Sequence, residues 1–440
     1  MPRYEVQKDN TKRFWEVTQD GASFTVTQGL VGTRGEERVF TYPTEEKARR
    51  ALEQLVQSKR ALGYVLVEAP TPTYGAGLWH ASNPELEATI LRDRDAEGPW
   101  QVYADWLQSQ GDVRGQLFAR APRKKDFDAF VEENLPAIFG DVTPHLEARR
   151  PEVVVGWRRG FADELLLRAN DYDGDTRLTE LAQKALALPV TRFLRELTLR
   201  IGVYQQGQDF TGALEALRDS RRIDTVEAVS LSHDPADRND DDWRELEWPE
   251  WGSLEPLSGA PLLKSLSVEG THGRVGALSL PALQKLKLVA RTLTGENVES
   301  LRRSSLPQLR RLTLEPRGVG LGALAALSDL VSDDTLPHLE QLSIERAVEL
   351  GDVVQALVFG RLLPHLTRLS LRHCELNEDE VLLLIREKKR LAHLKALALP
   401  STWATASRAD ELKKLCGRVS LVLPRRMPRD DGEYYDEVVE

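Results

Sequence analysis

Four stretches of the chain repeat one apolar pattern: LPALQKLKL at 280–288, LPQLRRLTL at 306–314, LPHLEQLSI at 336–344 and LPHLTRLSL at 363–371. Each contains the spacing apolar-x-x-apolar-x-apolar. That spacing occurs eight times, beginning at Leu194, Val226, Leu263, Leu283, Leu309, Leu339, Leu366 and Leu394. The intervals run from 20 to 37 residues and average about 29, which is typical of proteins built by stacking one supersecondary unit.

Each copy joins a strand pattern to a helical stretch, such as GDVVQALVFGRLL at 351–363. One strand and one helix per copy predict a curved stack, with parallel strands on the concave side and helices on the convex side. The copies resemble the longer, helix-bearing leucine-rich repeats. The full form of that repeat is found at Leu366, Leu369, Leu371, Cys374 and Leu376. The predicted fold of residues 189–424 is therefore an α/β leucine-rich-repeat solenoid, in which Cys374 satisfies backbone groups of a turn.

The residues beside the strand leucines are predicted to face the concave side, because side chains alternate along a strand. The candidate partner-binding residues there are Glu196, Arg200, Glu269, Lys285, Lys287, Arg311, Glu315, Glu345, Arg368 and Arg372. Charges of both signs favour a protein partner over a uniformly acidic polymer. None of the positions beside the strand leucines is aromatic, so no aromatic side chain can anchor a partner there. The alternative is that this side is merely a solvated sheet surface.

A second candidate surface is the acidic insertion HDPADRNDDDWRELEWPEWGS at 233–253. It carries Trp243, Trp248 and Trp251 beside a run of three aspartates. Insertions in repeat proteins lie in loops, and tryptophan is enriched among the residues that dominate binding energy. The insertion therefore suits a basic partner. The alternative is that the three rings pack back onto the solenoid and cover its core.

Residues 1–69 predict a small α+β domain. The stretch at 14–43 alternates apolar and polar residues between glycine-bearing turns, and the stretch at 44–64 predicts a helix capped by Thr44. The segment resembles the WGR domain of poly(ADP-ribose) polymerases and of many bacterial proteins. The matching residues are Phe14, Trp15, Glu16, Gly29, Val31, Gly32, Thr33, Gly35, Lys59, Gly63 and Tyr64.

The motif that names this family is altered here. Where the family has Trp-Gly-Arg, the chain has Gln28, Gly29 and Leu30. The resemblance places the family's Trp and Arg at a DNA contact, with the Arg on phosphate. Leu30 has no guanidinium fork for phosphate, and Gln28 has no ring to stack on nucleic acid. We therefore expect the fold to be kept and a nucleic-acid partner to be disfavoured.

The remaining segments surround these two parts. Residues 70–81 predict a linker, and residues 425–440 form an acidic tail. Residues 82–188 resemble a repeat-companion helical module found beside leucine-rich repeats in myxobacteria-like bacteria. The matching residues are Tyr103, Ala104, Asp105, Trp106, Leu107, Gly111, Asp112, Arg114 and Gly115. Because the first repeat of a stack leaves an open end of core, this segment is predicted to be the N-terminal cap.

Composition bounds the class of protein. The 440 residues are 41% apolar and 29% charged, as in soluble globular proteins, and no apolar run approaches the roughly 18 residues that a membrane helix needs. A net charge of −10 argues against a surface built throughout for nucleic acid. The two cysteines, Cys374 and Cys416, exclude a disulfide framework and favour a cytoplasmic location.

The chain lacks the common motifs of phosphate binding, zinc proteases and serine hydrolases. We predict no catalytic residue, no cofactor and no metal ligand. The predicted function is that of a non-enzymatic scaffold or regulatory protein that binds a protein partner through the repeats. The alternatives are DNA-end binding through the N-terminal domain and a role as the regulatory subunit of an enzyme.

Overall fold

The structure, a computed structural model, describes most of the chain. It covers residues 3–8, 11–30, 36–62, 64–67, 81–147, 151–169, 177–202, 207–234, 249–316, 322–347, 350–422, 427–428 and 434–435. The chain divides into two compact units, Met1–Gly77 and Leu78–Glu440. This division falls inside the predicted linker.

The first unit is a five-stranded antiparallel sheet with one helix. Its elements are β1 (Arg3–Lys8), β2 (Thr11–Asp20), β3 (Ser23–Leu30), β4 (Glu36–Thr41), α1 (Glu45–Ala61) and β5 (Val65–Val67). The order across the sheet is β4-β3-β2-β1-β5. Alternate strand residues, including Trp15 and Phe24, are buried with Ala48 of α1. The predicted strands and helix are confirmed, and the amide of Lys47 donates to the predicted cap, Thr44, at 3.3 Å.

Six helices open the second unit. They are α2 (Pro84–Arg92), α3 (Glu97–Ser109), α4 (Arg114–Arg120), α5 (Lys124–Glu133), α6 (Leu135–Phe139) and α7 (Thr143–Glu147). An aromatic cluster joins them to later parts of the chain: the ring of Trp100 lies 5.6 Å from that of Phe161 and 4.9 Å from that of Phe193. The cluster therefore fixes the helices against the strands that follow.

The residues that match the repeat-companion module form a helix junction. Gly111 has a φ of 73°, a left-handed conformation that glycine adopts without steric cost. The guanidinium of Arg114 pairs with the carboxylate of Asp112, and both side chains are buried. A Cβ on Gly115 would lie 2.5 Å from the carbonyl oxygen of Ala104, so α3 and α4 meet backbone to backbone. These residues hold two helices together.

Two strands, β6 (Val153–Arg158) and β7 (Phe161–Ala169), lie where the sequence predicts a helical cap. They form an antiparallel hairpin with the two-residue turn Arg159-Gly160, whose φ angles are 52° and 82°. Positive φ at both positions is the geometry of a type I′ turn, which matches the twist of paired strands. The segment predicted to be the cap thus contains a hairpin before its last helix, and β7 pairs in parallel with β8.

The second unit is built on an eleven-stranded sheet, which we call the large sheet. Its strands after β7 are β8 (Glu196–Ile201), β9 (Ala228–His233), β11 (Ser265–Gly270), β13 (Lys285–Ala290), β14 (Arg311–Pro316), β15 (Gln341–Ile344), β16 (Arg368–Ser370), β17 (Ala396–Pro400) and β18 (Val419–Val422). The short strands β10 (Gly252–Ser253) and β12 (Gly273–Arg274) pair with each other. From β7 to β18 every neighbouring pair in the large sheet is parallel, in chain order. The predicted parallel sheet is confirmed.

Helices follow most of these strands. They are α8 (Leu178–Ala187), α9 (Thr211–Asp219), α10 (Gly295–Arg303), α11 (Ala323–Ser332), α12 (Asp352–Phe359), α13 (Glu378–Arg386), α14 (Lys388–Leu391), α15 (Trp403–Ser407) and α16 (Ala409–Leu412). Short 3-10 helices lie at Gly140–Val142, Pro189–Thr191, Arg222–Asp224, Glu255–Leu257 and Leu363–His365. No described helix is long and apolar enough to cross a membrane.

One continuous core runs through the second unit. The strand leucines pack against apolar residues of the helices, from Leu117 of α4 to Leu415 after α16. Each predicted repeat strand begins two residues after the first apolar residue of its pattern, as β8 begins at Glu196 after Leu194. Buried and polar residues alternate along β8 and β9, so one face of the sheet meets the helices and the other does not.

Cys374 has a structural position. Its side chain is buried, and the thiol donates to the backbone carbonyl of Ile344 at 3.2 Å. Burial raises the pKa of the Cys374 thiol to about 12, so the sulfur stays protonated and serves as a donor. The predicted turn role of this residue agrees with these contacts.

Beyond β18 the structure describes two short strands, β19 (Met427–Pro428) and β20 (Tyr434–Tyr435), which pair antiparallel. The other residues of the predicted acidic tail at 425–440 lie outside the described residues.

Candidate binding surface

The side of the large sheet that the helices do not cover is here called the open face. Its residues lie in rows that cross the strands. The first row is Glu196, Ala228, Ser265, Lys285, Arg311, Gln341, Arg368 and Ala396. The second is Thr198, Ser230, Ser267, Lys287, Thr313, Ser343, Ser370, Ala398 and Ser420. Successive strands are about 4.8 Å apart, so neighbours in a row are within reach of one ligand.

Five cations on the open face are exposed to solvent. Lys285, Lys287, Arg311, Arg368 and Arg372 are all exposed. Within the described ranges, no acidic side chain lies at ion-pair distance from any of them. Their charges are therefore available to a ligand.

Two of the four acidic residues predicted for the same face lie close to a basic side chain. The carboxylate of Glu315 pairs with Arg346 at 3.1 Å. Glu269 lies 3.5 Å from Nδ1 of the buried His233. The sequence predicts charges of both signs on this face, but the structure leaves mainly the positive ones free.

Another acidic residue of this face, Glu345, is held by hydroxyl groups. Its carboxylate accepts from Ser343 Oγ at 2.7 Å and from Ser370 Oγ at 3.4 Å. The polar rows of this face can thus bind a carboxylate, and here they bind one of the chain's own.

A groove of about 590 Å³ lies on the open face between β14 and β18. Five cationic side chains line it, namely Arg311, Arg368, Arg372, Lys395 and Arg418. The sequence predicts the first three as binding residues but misses Lys395 and Arg418. Lys395 and Arg418 come directly before β17 and β18, and the segment of β18 lacks the repeated apolar pattern by which the other strands are predicted.

The two ends of the first row differ in charge. Glu196 is exposed at its beginning, and Arg200 is half-buried on the same strand, β8. The cations are concentrated from β13 onward. The predicted binding residues therefore do not form one uniform surface.

At the other end of the sheet, charges alternate in sign and neutralise one another. Arg195 Nε lies 3.9 Å from Asp163 Oδ1 and 3.4 Å from Glu227 Oε1, and Lys264 Nζ lies 2.8 Å from Glu227 Oε2. Burial raises the pKa of Asp163 to about 6, while the neighbouring Arg158 lowers it. Because each charge has a partner, this cluster ties strands together and offers little free charge.

Of the three tryptophans predicted in the acidic insertion, the structure describes one. Trp251 is 0% exposed and belongs to the core, which agrees with the packing alternative and not with a docking role for this residue. A Cβ on Gly273 would lie 2.1 Å from Trp251 Cδ1, so the ring rests directly on that backbone. Trp243 and Trp248 lie outside the described residues.

In the first unit, the three positions of the altered motif lie at the end of β3. Gln28 is half-buried, and its Oε1 accepts from Lys59 Nζ at 3.1 Å. The same ammonium group lies 5.7 Å from the ring centroid of Trp15, and burial lowers the pKa of Lys59. Gly29 pairs with Phe14 across β2 and β3, and Leu30 is 44% exposed. Gln28 is thus used inside the unit, and Leu30 presents an apolar surface.

No group of three or more His, Cys, Asp or Glu residues in the described part of the chain is arranged to hold a metal ion. The motif-matching residues at 31–35 and Gly63 lie outside the described residues.

Comparisons with known proteins identify the first unit. Residues 1–70 match the family model of the WGR domain. A solved crystal structure of a protein from Bacteroides fragilis is similar over 99% of this chain and 97% of that chain, with 19% sequence identity and a TM-score of 0.48. A comparison with curated proteins found no match.

Proposed function

We propose that, behind its WGR domain, this chain is a leucine-rich-repeat solenoid that holds a protein partner on its open face, as a non-catalytic cytoplasmic scaffold or regulatory protein. The observation that carries the proposal is a set of exposed cations that lie in register across the sheet and have no ionic partner among the described residues, illustrated by Lys285, Arg311 and Arg368. A face that served only stability would gain by pairing these charges.

The repeat geometry supports this assignment. Parallel strands in chain order, each followed by a turn or helix and all sharing one core, are what stacked repeats produce. On this proposal the open face is the concave side, and the segment at 82–188 is the helical companion module that shields the first repeat. A bacterial origin of the myxobacterial kind belongs to the same proposal.

Cross-linking in the native host tests where the partner binds. Lys287 on the open face and Arg303 on the helix side are each replaced in turn by a photo-crosslinking amino acid in the full chain. Arg303 is a suitable control because its side chain is 70% exposed. We expect light-dependent adducts with another protein at position 287 and none at 303. Equal adducts at both positions, or none at 287, would contradict the proposal.

A second candidate function is DNA-end binding, which the match of residues 1–70 to the WGR family favours. The side chains at the altered motif oppose it, because Gln28 is occupied by Lys59 and Leu30 is apolar. We expect no gel shift of 5′-phosphorylated duplex ends at about micromolar protein, the upper range of non-specific DNA affinity. The variant Gln28→Trp/Leu30→Arg is expected to produce a shift. A shift by the unaltered chain at that concentration would favour the DNA function instead.

A further inference from the structure

The groove between β14 and β18 carries an unbalanced positive charge. Its five cationic side chains lie on, or within two residues of, four strands, β14, β16, β17 and β18. Glu345 is the acidic group whose contacts reach the lining, through the hydroxyls of Ser343 and Ser370. Five positive charges against one adjacent negative charge leave a clear positive excess.

The excess does not arise from the protein as a whole, whose net charge is −10. Cations placed together on a negative protein repel one another, and solvent and salt screen that repulsion only in part. A surface of this kind attracts negative ligands and steers their approach.

The uncharged lining indicates the class of the negative ligand. Between the cations it consists of hydroxyl and amide side chains and small apolar ones, including Thr313, Gln341 and Ser420. No aromatic residue is among the described residues that line the groove, whereas sites for single-stranded nucleic acids use aromatic platforms on which bases stack. Arginine forms paired hydrogen bonds with carboxylates, and Ser343 and Ser370 already bind one carboxylate here.

The dimensions suit an extended chain. Arg311 and Arg368 lie two strands apart, which corresponds to about 10 Å across the sheet. An extended peptide advances about 3.3 Å per residue, so one crossing from β14 to β18 spans roughly six residues. Such a segment would bring several carboxylates within reach of the five cations.

We propose that this groove binds an acidic, extended segment of a partner protein, rich in Asp and Glu, through Arg311, Arg368, Arg372, Lys395 and Arg418. The proposal rests on the function proposed above and specifies the chemistry of the partner.

The test measures binding of a defined probe to the full chain. A fluorescein-labelled ten-residue oligoglutamate is titrated with the protein and followed by fluorescence anisotropy, and an oligoglutamine of equal length serves as the neutral control. We expect binding of oligoglutamate that weakens as salt is added, because screening acts on exposed charges. The double variant Arg311→Glu/Arg368→Glu is expected to bind oligoglutamate at least about tenfold more weakly, since it replaces two attractions by repulsions.

The matched control is Arg303→Glu, which makes the same change of charge at one site on the helix side of the second unit. This variant should leave the affinity for oligoglutamate unchanged. Circular dichroism establishes that both variants are folded. If the double variant is not folded, the milder Arg311→Gln/Arg368→Gln is measured in its place, and an affinity equal to that of the unaltered chain would overturn the proposal.

A ten-nucleotide oligothymidylate forms the second arm. If it binds more tightly than oligoglutamate and loses that binding in the same double variant, the groove is a nucleic-acid site and the proposal is wrong. If neither probe binds, the proposal also falls. The function proposed above is tested separately: adducts at position 287 without oligoglutamate binding would leave the protein-binding role standing and remove only the acidic segment.

Discussion

Replacing Arg114 by alanine is expected to lower the free energy of unfolding by about 3–5 kcal/mol, the cost of removing one partner of a buried ion pair. The Arg114 and Asp112 side chains are 1% and 0% exposed. The guanidinium also donates to the carbonyl oxygen of Ala81 at 2.7 Å and contacts that of Pro189 at 3.4 Å. The alanine variant would leave the Asp112 carboxylate buried without its countercharge.

Urea denaturation of the full chain, followed by circular dichroism, measures this loss. Arg123→Ala is the control, because Arg123 forms a pair with Asp126 in which the side chains are 74% and 55% exposed, and such pairs contribute roughly 0–1 kcal/mol. Similar small effects for the two variants would mean that the Arg114 pair is not shielded from water as the structure has it.

The variant Trp251→Ala is expected to destabilise the protein by about 3–5 kcal/mol, the usual range for loss of a fully buried large aromatic ring. The ring is 0% exposed and packs onto the backbone at Gly273, so its removal leaves a cavity at the base of the insertion. Urea midpoints give the measurement. The result separates the two interpretations of the insertion, because a ring that only anchored a partner could be lost at little cost in stability.

Trp403→Ala provides the comparison. Trp403 is 66% exposed, and surface substitutions commonly change stability by less than about 0.5 kcal/mol. If Trp251→Ala changed the free energy of unfolding as little as this control does, the result would contradict the buried position of Trp251 and favour the docking interpretation.

The repeat and its register could be predicted because both depend on local sequence. Leucines alternate with polar residues within each strand, so the side that each residue faces follows from its position alone. Lys285 pairs with Arg311, and Arg311 with Gln341, so residues at the same place in successive copies of the pattern lie side by side. Parallel strands in chain order keep that row intact from one repeat to the next.

The ends of the stack could not be predicted in the same way. The strands β6, β7 and β18 lack the repeated leucine pattern of the strands between them, because the end of a stack meets different surroundings from its middle. The turn Arg159-Gly160 was the available signal for the hairpin, since two-residue turns with glycine favour adjacent antiparallel strands.

The number of free charges on the open face could not be predicted from the sequence of single strands either. It depends on Arg346, which follows β15 in a left-handed conformation and reaches Glu315 on the neighbouring strand. Nor does the sequence indicate that Nδ1 of the buried His233, on β9, lies 3.5 Å from Glu269. Contacts of this kind are set by the three-dimensional packing and leave no periodic trace in the sequence.

The hairpin at the start of the large sheet limits how this protein can change in length. Because β6 runs antiparallel to β7 and occupies its free side, a duplicated repeat added upstream would find no parallel neighbour to join. New repeats can enter the stack only downstream of β7. On the proposed repeat architecture, gain and loss of copies would therefore act downstream of β7, in the part of the chain that includes the groove.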